Sequence, residues 1–144
     1  MNAEIRWEEA VRFTATTGSG HALTLDGPPA SGGQNAGPRP MEMVLLGLGG
    51  CASYDVVTIL EKSRQDVTGC TARLSAERAT EAPKVFTRIA LHFEVTGRGL
   101  SPAKVARAVD LSAEKYCSAS IMLQRGGVEI VHSHEIVEHE EDKA

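Results

Sequence analysis

With 144 residues, 42% of them hydrophobic and only 4% aromatic, the chain has material for one modest core and is expected to form a single domain, residues 1–144. Its formal net charge of −4, carried by interspersed acidic and basic residues, offers no basic surface for nucleic acid. Cys51, Cys70 and Cys117 form no Cys-x-x-Cys pair, which excludes a disulfide framework and the common zinc-finger spacings and leaves the thiols free, reactive or simply buried.

Residues 1–12 alternate charged and apolar side chains without the basic start and continuous apolar stretch of a signal peptide, so the expected location is the cytoplasm. Ile5, Trp7, Val11 and Phe13 share one parity, as in a half-buried strand. Thr17-Gly18-Ser19-Gly20 then tolerates a turn and Leu23 and Leu25 resume the alternation, so residues 3–26 are predicted to be a hairpin. Residues 27–40 hold four glycines and four prolines, a composition too broken for a regular element and typical of a functional or mobile loop.

Pro40 suits the first turn of a helix, where its missing N–H costs nothing. Residues 41–63 carry a helical pattern whose first half is apolar on every side, predicting a helix through the core. The most apolar run, residues 43–52, is about half what a bilayer requires and is flanked by Glu42 and Asp55, so it reads as a buried helix and no membrane association is expected. Gly47, Gly49 and Gly50 each cost about 1 kcal/mol there relative to alanine. Close approach of another backbone or of a ligand beside Cys51 is the expected reason.

Residues 67–78 and 85–96 read as a second strand pair joined across Thr80-Glu81-Ala82-Pro83, with Val85, Ile89, Leu91, Phe93 and Val95 on one face. Ser101 and Pro102 mark a helix start, and Val105, Ala108, Val109 and Ala113 carry an apolar stripe toward Cys117. A short helix over 118–124, a turn at Gly126-Gly127 and a strand over 128–137 complete an α+β chain without internal repeats. Two small hairpins cover a long apolar helix poorly, which implies a partner chain.

From the residues alone, Cys51 in Gly49-Gly50-Cys51-Ala52 and Cys117 after the second helix read as buried small hydrophobes or as reactive thiols. Pro40-Met41-Glu42-Met43-Val44-Leu45-Leu46, followed by Gly49-Gly50-Cys51 and later Lys115-Tyr116-Cys117-Ser118, resembles the OsmC/Ohr family of peroxide-handling proteins. The resemblance implies an intertwined homodimer with active sites at the subunit interface. It makes Cys51 the peroxidatic and Cys117 the resolving cysteine, acting on organic hydroperoxides with a dithiol reductant of lipoyl type and no cofactor or metal.

The sequence differs from the better-characterised members in lacking an arginine in the hairpin turn, in carrying Met41 where they place a glutamate, and in Ser118 where they place a proline. Arg39, with Glu42 beside it, is the candidate replacement cation; the plainer reading is a solvated loop arginine and a first-turn glutamate. Met41, Leu45, Leu48 and Tyr54 are the expected pocket for an apolar hydroperoxide. Two other readings stay open: a redox sensor that closes the disulfide without turnover, and a carrier of small apolar ligands. A zinc site of Cys51, Cys117 and a histidine is a further option. Cys70 reads as a small strand residue, His132 and His134 as a strand-face pair lacking a third ligand, and Glu138 to Asp142 as a solvated terminus.

Overall fold

The computed structural model describes residues 1–141, in two compact units divided after Leu46. In the first unit, β1 (Ala3–Glu9), β2 (Arg12–Thr17) and β3 (Ala22–Leu25) form an antiparallel sheet in sequence order. The expected two-stranded hairpin is thus a three-stranded meander. The break falls at Ala10, whose φ is +46°, and the Trp7 indole N–H donates to the Ala10 carbonyl at 2.9 Å. No glycine or asparagine marks that turn, so the apolar alternation runs straight through it. The half-buried pattern expected of β1 also differs: all its residues are exposed, with Ile5 and Trp7 at 58% and 64%.

The glycine- and proline-rich loop is closely knit. Asp26 is buried, and its carboxylate accepts backbone N–H groups from Gly27 (2.7 Å), Gln34 (3.0 Å) and Ala36 (3.1 Å). A Cβ at Gly33 would collide with the Gly27 carbonyl, so only glycine fits there. The Ala36 N–H, opposed by burial and joined by those of Gln34 and Gly27, holds the Asp26 carboxyl below its ordinary range.

Helix α1 (Pro40–Lys62) has 23 residues, about 34 Å at 1.5 Å per residue, and begins where Pro40 indicated. Its N-terminus is closed by Glu42, whose Oε1 accepts the Arg39 backbone N–H at 2.8 Å, one half of a capping box. Its first half, apolar on every side, was expected to run through the core; instead one stripe along the helix, Leu48, Gly49, Ala52, Val56 and Leu60, is buried. Leu46 and Tyr54 stand 61% and 73% exposed. By length and composition the helix could cross a membrane, its best window averaging a hydropathy of 1.7. The buried stripe instead serves the core of the second unit.

That unit contains β4 (Asp66–Arg78), β5 (Phe86–Arg98), α2 (Pro102–Leu111), α3 (Ser118–Arg125) and β6 (Glu129–Glu138). The sheet order is β4-β5-β6, with β4 antiparallel and β6 parallel to the central β5. Ile89, Leu91, Phe93 and Val95 are buried as predicted, but Val85 is 53% exposed and Phe86 is buried in its place. An irregularity between Glu77 and Arg78 shifts the register there, and a one-residue slip exchanges the two faces. Ser101 caps α2, its side chain accepting the Lys104 N–H, and Pro102 starts the helix. Val105, Ala108 and Val109 are buried with the α1 stripe. Glu138 ends β6 and accepts the Gly99 N–H at 3.0 Å, while Asp142 lies outside the described residues.

The depressed Asp26 carboxyl favours the folded loop above the ordinary carboxylate pKa of about 4, and that contribution is lost as pH falls through the lower folded value. Amide exchange should therefore find Gln34 and Ala36 protected at neutral pH and unprotected in acid, and unprotected at both in Asp26→Asn. Unchanged protection in the variant would remove Asp26 from this role.

Candidate functional site

The second unit brings Cys51 and Cys117 together. Cys51 is half-buried on α1, and Asp55 lies four residues on, one turn along the same face. Cys117 is fully buried and stands between a π-helical turn, Ser112–Tyr116, and α3. Sγ of Cys51, Sγ of Cys117 and a carboxylate oxygen of Asp55 all lie within 4.8 Å of one another.

Buried hydrogen bonds hold this arrangement. The Ser112 hydroxyl donates to the Ala52 carbonyl at 2.9 Å, fastening the end of α2 to α1 beside Cys51. The Cys117 N–H donates to the Ser112 carbonyl at 2.9 Å, closing a wide turn that carries one more residue than an α-turn. Ser120 Oγ donates to the Ala113 carbonyl at 3.1 Å, and Gln124 Nε2 reaches the same carbonyl at 3.1 Å and Ser120 Oγ at 2.9 Å. Finally, the Ser120 N–H donates to Cys117 Sγ at 3.4 Å, so the sulfur caps α3.

The electrostatics are those of acids packed against one another. Burial pushes the Cys117 thiol up to about 11; the Ser120 N–H pulls the other way, while the Cys51 thiol and the charges of Cys51 and Asp55 raise it further. Burial also raises the Asp55 carboxyl, and its Oδ2 is enclosed without a hydrogen-bond partner. Among the described residues no cation is among the groups that shift either acid.

Beside Asp55 opens a cleft of about 580 Å³ whose lining includes Tyr54, Thr58, Ile59, Leu111 and Tyr116, with Lys62 two turns farther along α1. Of the four expected pocket residues, Tyr54 lines this cleft, Leu48 is fully buried and unable to face a ligand, and Met41 and Leu45 belong to the first unit. Among the described residues none of the three glycines of α1 meets another backbone: a Cβ at Gly49 would meet the end of the Leu74 side chain at 2.8 Å. Gly47 and Gly50 face open space.

Arg39 and Glu42 are placed in the first unit. The Arg39 guanidinium donates to Asn35 Oδ1 at 2.7 Å and the Gly37 carbonyl at 3.2 Å, and Glu42 takes the Arg39 main-chain N–H rather than its side chain. Cys70 lies half-buried in β4, its thiol raised by burial. Among the described residues no histidine joins the two sulfurs, and the third ligand-type group beside them is the Asp55 carboxylate. His132 does find partners, with Nε2 at 2.9 Å from Asp110 Oδ1 and Glu114 near both; His134 is not in that group. Asp55, Ser112 and Ser120 escaped the sequence reading, although an acid one helical turn after a cysteine was a signal for the first.

This arrangement, a thiol pair between a long helix and a capped short one in a unit with its own three-stranded sheet, is that of an OsmC-like protein: the OsmC-like family model matches residues 32–133, and the chain belongs to that family. It is 53% identical over 137 residues to Protein YhfA of Escherichia coli, covering 95% of this chain and 98% of that one. A hypothetical protein from Aquifex aeolicus VF5 superposes with a TM-score of 0.83 at 28% identity, over 96% and 97% of the two chains. An organic hydroperoxide resistance protein OsmC from Legionella pneumophila shares the fold, with a TM-score of 0.70 at 19% identity over 93% and 95%.

Because the Asp55 charge raises Cys117, Asp55→Asn should lower the pH at which Cys117 ionises, from about 11 in the unsubstituted site. Thiolate absorbance followed against pH in a Cys70→Ser background measures it. An unmoved titration would mean that the carboxylate is not felt at the sulfur.

Proposed function

We propose that this protein is a cysteine-based peroxidase that reduces apolar organic hydroperoxides through Cys51 and Cys117. Its family is associated with redox and stress-response roles, and relatives of the same fold include organic hydroperoxide resistance proteins. The observation that carries the reading is the apposition of two free thiols, one partly open and one buried, within 4.8 Å.

In this reading the Cys51 thiolate attacks the distal peroxide oxygen. The O–O bond breaks, the alkoxide takes a proton and leaves as the alcohol, and Cys51 becomes a sulfenic acid. Cys117 then condenses with it, releasing water and forming a disulfide. An external dithiol of lipoyl type takes up the oxidation and restores both thiols. The cleft adjoins the thiol pair through Asp55, neither sulfur lining it, and Tyr54, Ile59, Leu111 and Tyr116 along it support an apolar substrate rather than hydrogen peroxide. Arg39 and Glu42 support the site by fixing the loop and the first turn of the helix that carries Cys51.

The working form is a homodimer in the cytoplasm, with no nucleic-acid or membrane partner. Exposed Ile5, Trp7, Leu46, Tyr54, Tyr116 and Met122 leave apolar surface for a second copy to cover.

Reduced protein mixed with one equivalent of an organic hydroperoxide should lose two thiols and gain a Cys51–Cys117 disulfide by intact mass, and Cys51→Ser should abolish the loss. With excess peroxide and a dithiol, consumption should exceed one equivalent many-fold. Disulfide without turnover would make the protein a redox sensor; unchanged thiols would leave a ligand carrier.

A further inference from the structure

We infer that Cys51, Asp55 and Cys117 also form a binding site for a thiophilic divalent cation of the zinc class, three protein donors with a fourth position left to water or a ligand. This goes beyond the peroxidase reading and does not depend on it.

Two independent features point to a cation. The first is the donor set. Two cysteine sulfurs and a carboxylate oxygen converge within 4.8 Å. At zinc, bonds of about 2.3 Å to sulfur and about 2.0–2.2 Å to oxygen place donors of one tetrahedron at comparable separations. Sulfur donors select zinc and its relatives over magnesium or calcium, which take oxygen ligands.

The second is the missing partner of Asp55. Its Oδ2 is enclosed with no hydrogen bond, which is costly for a carboxylate, and none of the described salt bridges involves Asp55. A bound cation answers that deficit and offsets the mutual repulsion of the three acids.

The surroundings suit such a site. Cys117 Sγ already accepts the Ser120 N–H at 3.4 Å, the kind of outer hydrogen bond that orients a metal-bound thiolate. Asp55 and Cys51, one turn apart on α1, present both ligands from one rigid helix. Among the described residues a second cluster of ligand-type groups, Asp110, Glu114 and His132, is better satisfied, because Asp110 and His132 already pair at 2.9 Å.

Metal and peroxide would then compete for the same sulfurs. Two thiolates, one hydroperoxide and two protons yield a disulfide, an alcohol and water, which removes two of the three donors and releases the cation. This last step alone rests on the peroxidase reading.

The test uses reduced, metal-free full-length protein titrated with Co²⁺ and then Zn²⁺, without peroxide. One equivalent of Co²⁺ should give the near-ultraviolet thiolate charge-transfer band and intense visible bands of a four-coordinate site, and Zn²⁺ should erase them. Cys51→Ser or Cys117→Ser should abolish the charge-transfer band. Asp55→Asn should weaken affinity at least tenfold and Asp55→His should restore it, whereas His132→Gln should leave the spectrum intact. Circular dichroism of each variant separates loss of the site from loss of fold. Absence of the band, its persistence in Cys51→Ser, or unchanged affinity in folded Asp55→Asn would overturn the site, and none of these results depends on peroxidase activity.

Discussion

The hydrogen bond from Ser112 Oγ to the Ala52 carbonyl, 2.9 Å long and wholly buried, is the contact on which the geometry of the thiol pair depends. It reaches α1 at the residue after Cys51, while the carbonyl of the same serine accepts the N–H of Cys117. One residue therefore fixes the chain on both sides of the pair. Loss of such a bond typically costs about 1 kcal/mol, and an unsatisfied buried group about 1–3 kcal/mol. That is modest against the packing of Leu48, Val56, Leu60, Phe93 and Val109, but packing is non-directional, whereas this bond specifies where two sulfurs meet. The π-helical turn follows from it: inserting one residue between Ser112 and Cys117 lets α2 end against α1 and still delivers Cys117 as the cap of α3.

The same enclosure shapes the chemistry. Burial favours the neutral forms of Cys117 and Asp55, so the reactivity of the buried thiol depends on what supplies compensating positive potential. The α3 N-terminus provides part of it at Cys117 through the Ser120 N–H, and a divalent cation is a second source. The proposed metal binding and the proposed thiol oxidation thus draw on one set of atoms, and the relation between them is a property of the buried charge balance rather than of either cysteine alone.

Much of the framework was legible because local chemistry and global fold agree there. Pro40 opens α1, Ser101 and Pro102 open α2, and alternation along residues 85–96 marked the buried face of β5. The places that were not legible lack local signals. Ala10 turns the chain with a positive φ that sequence does not announce, and the bulge near Arg78 exchanges Val85 for Phe86 on the inner face. The parallel docking of β6 is a tertiary choice. The apolar run in α1 looked fully buried because composition alone does not separate the stripe that packs in the core from apolar side chains, such as Leu46, that stay exposed. At the site the two cysteines stood out, but Asp55 looked like the polar flank of an apolar run, and Ser112 like any helix-end serine.

The most direct test of this account is the rate at which Cys51 and Cys117 close a disulfide in Ser112→Ala, driven by a thiol oxidant that is not a peroxide so that only their juxtaposition is read. With the variant shown to be folded, the account predicts closure slowed about tenfold, the equivalent of roughly 1.4 kcal/mol. Closure as fast as in the unsubstituted protein would show that the pair is held together without this bond.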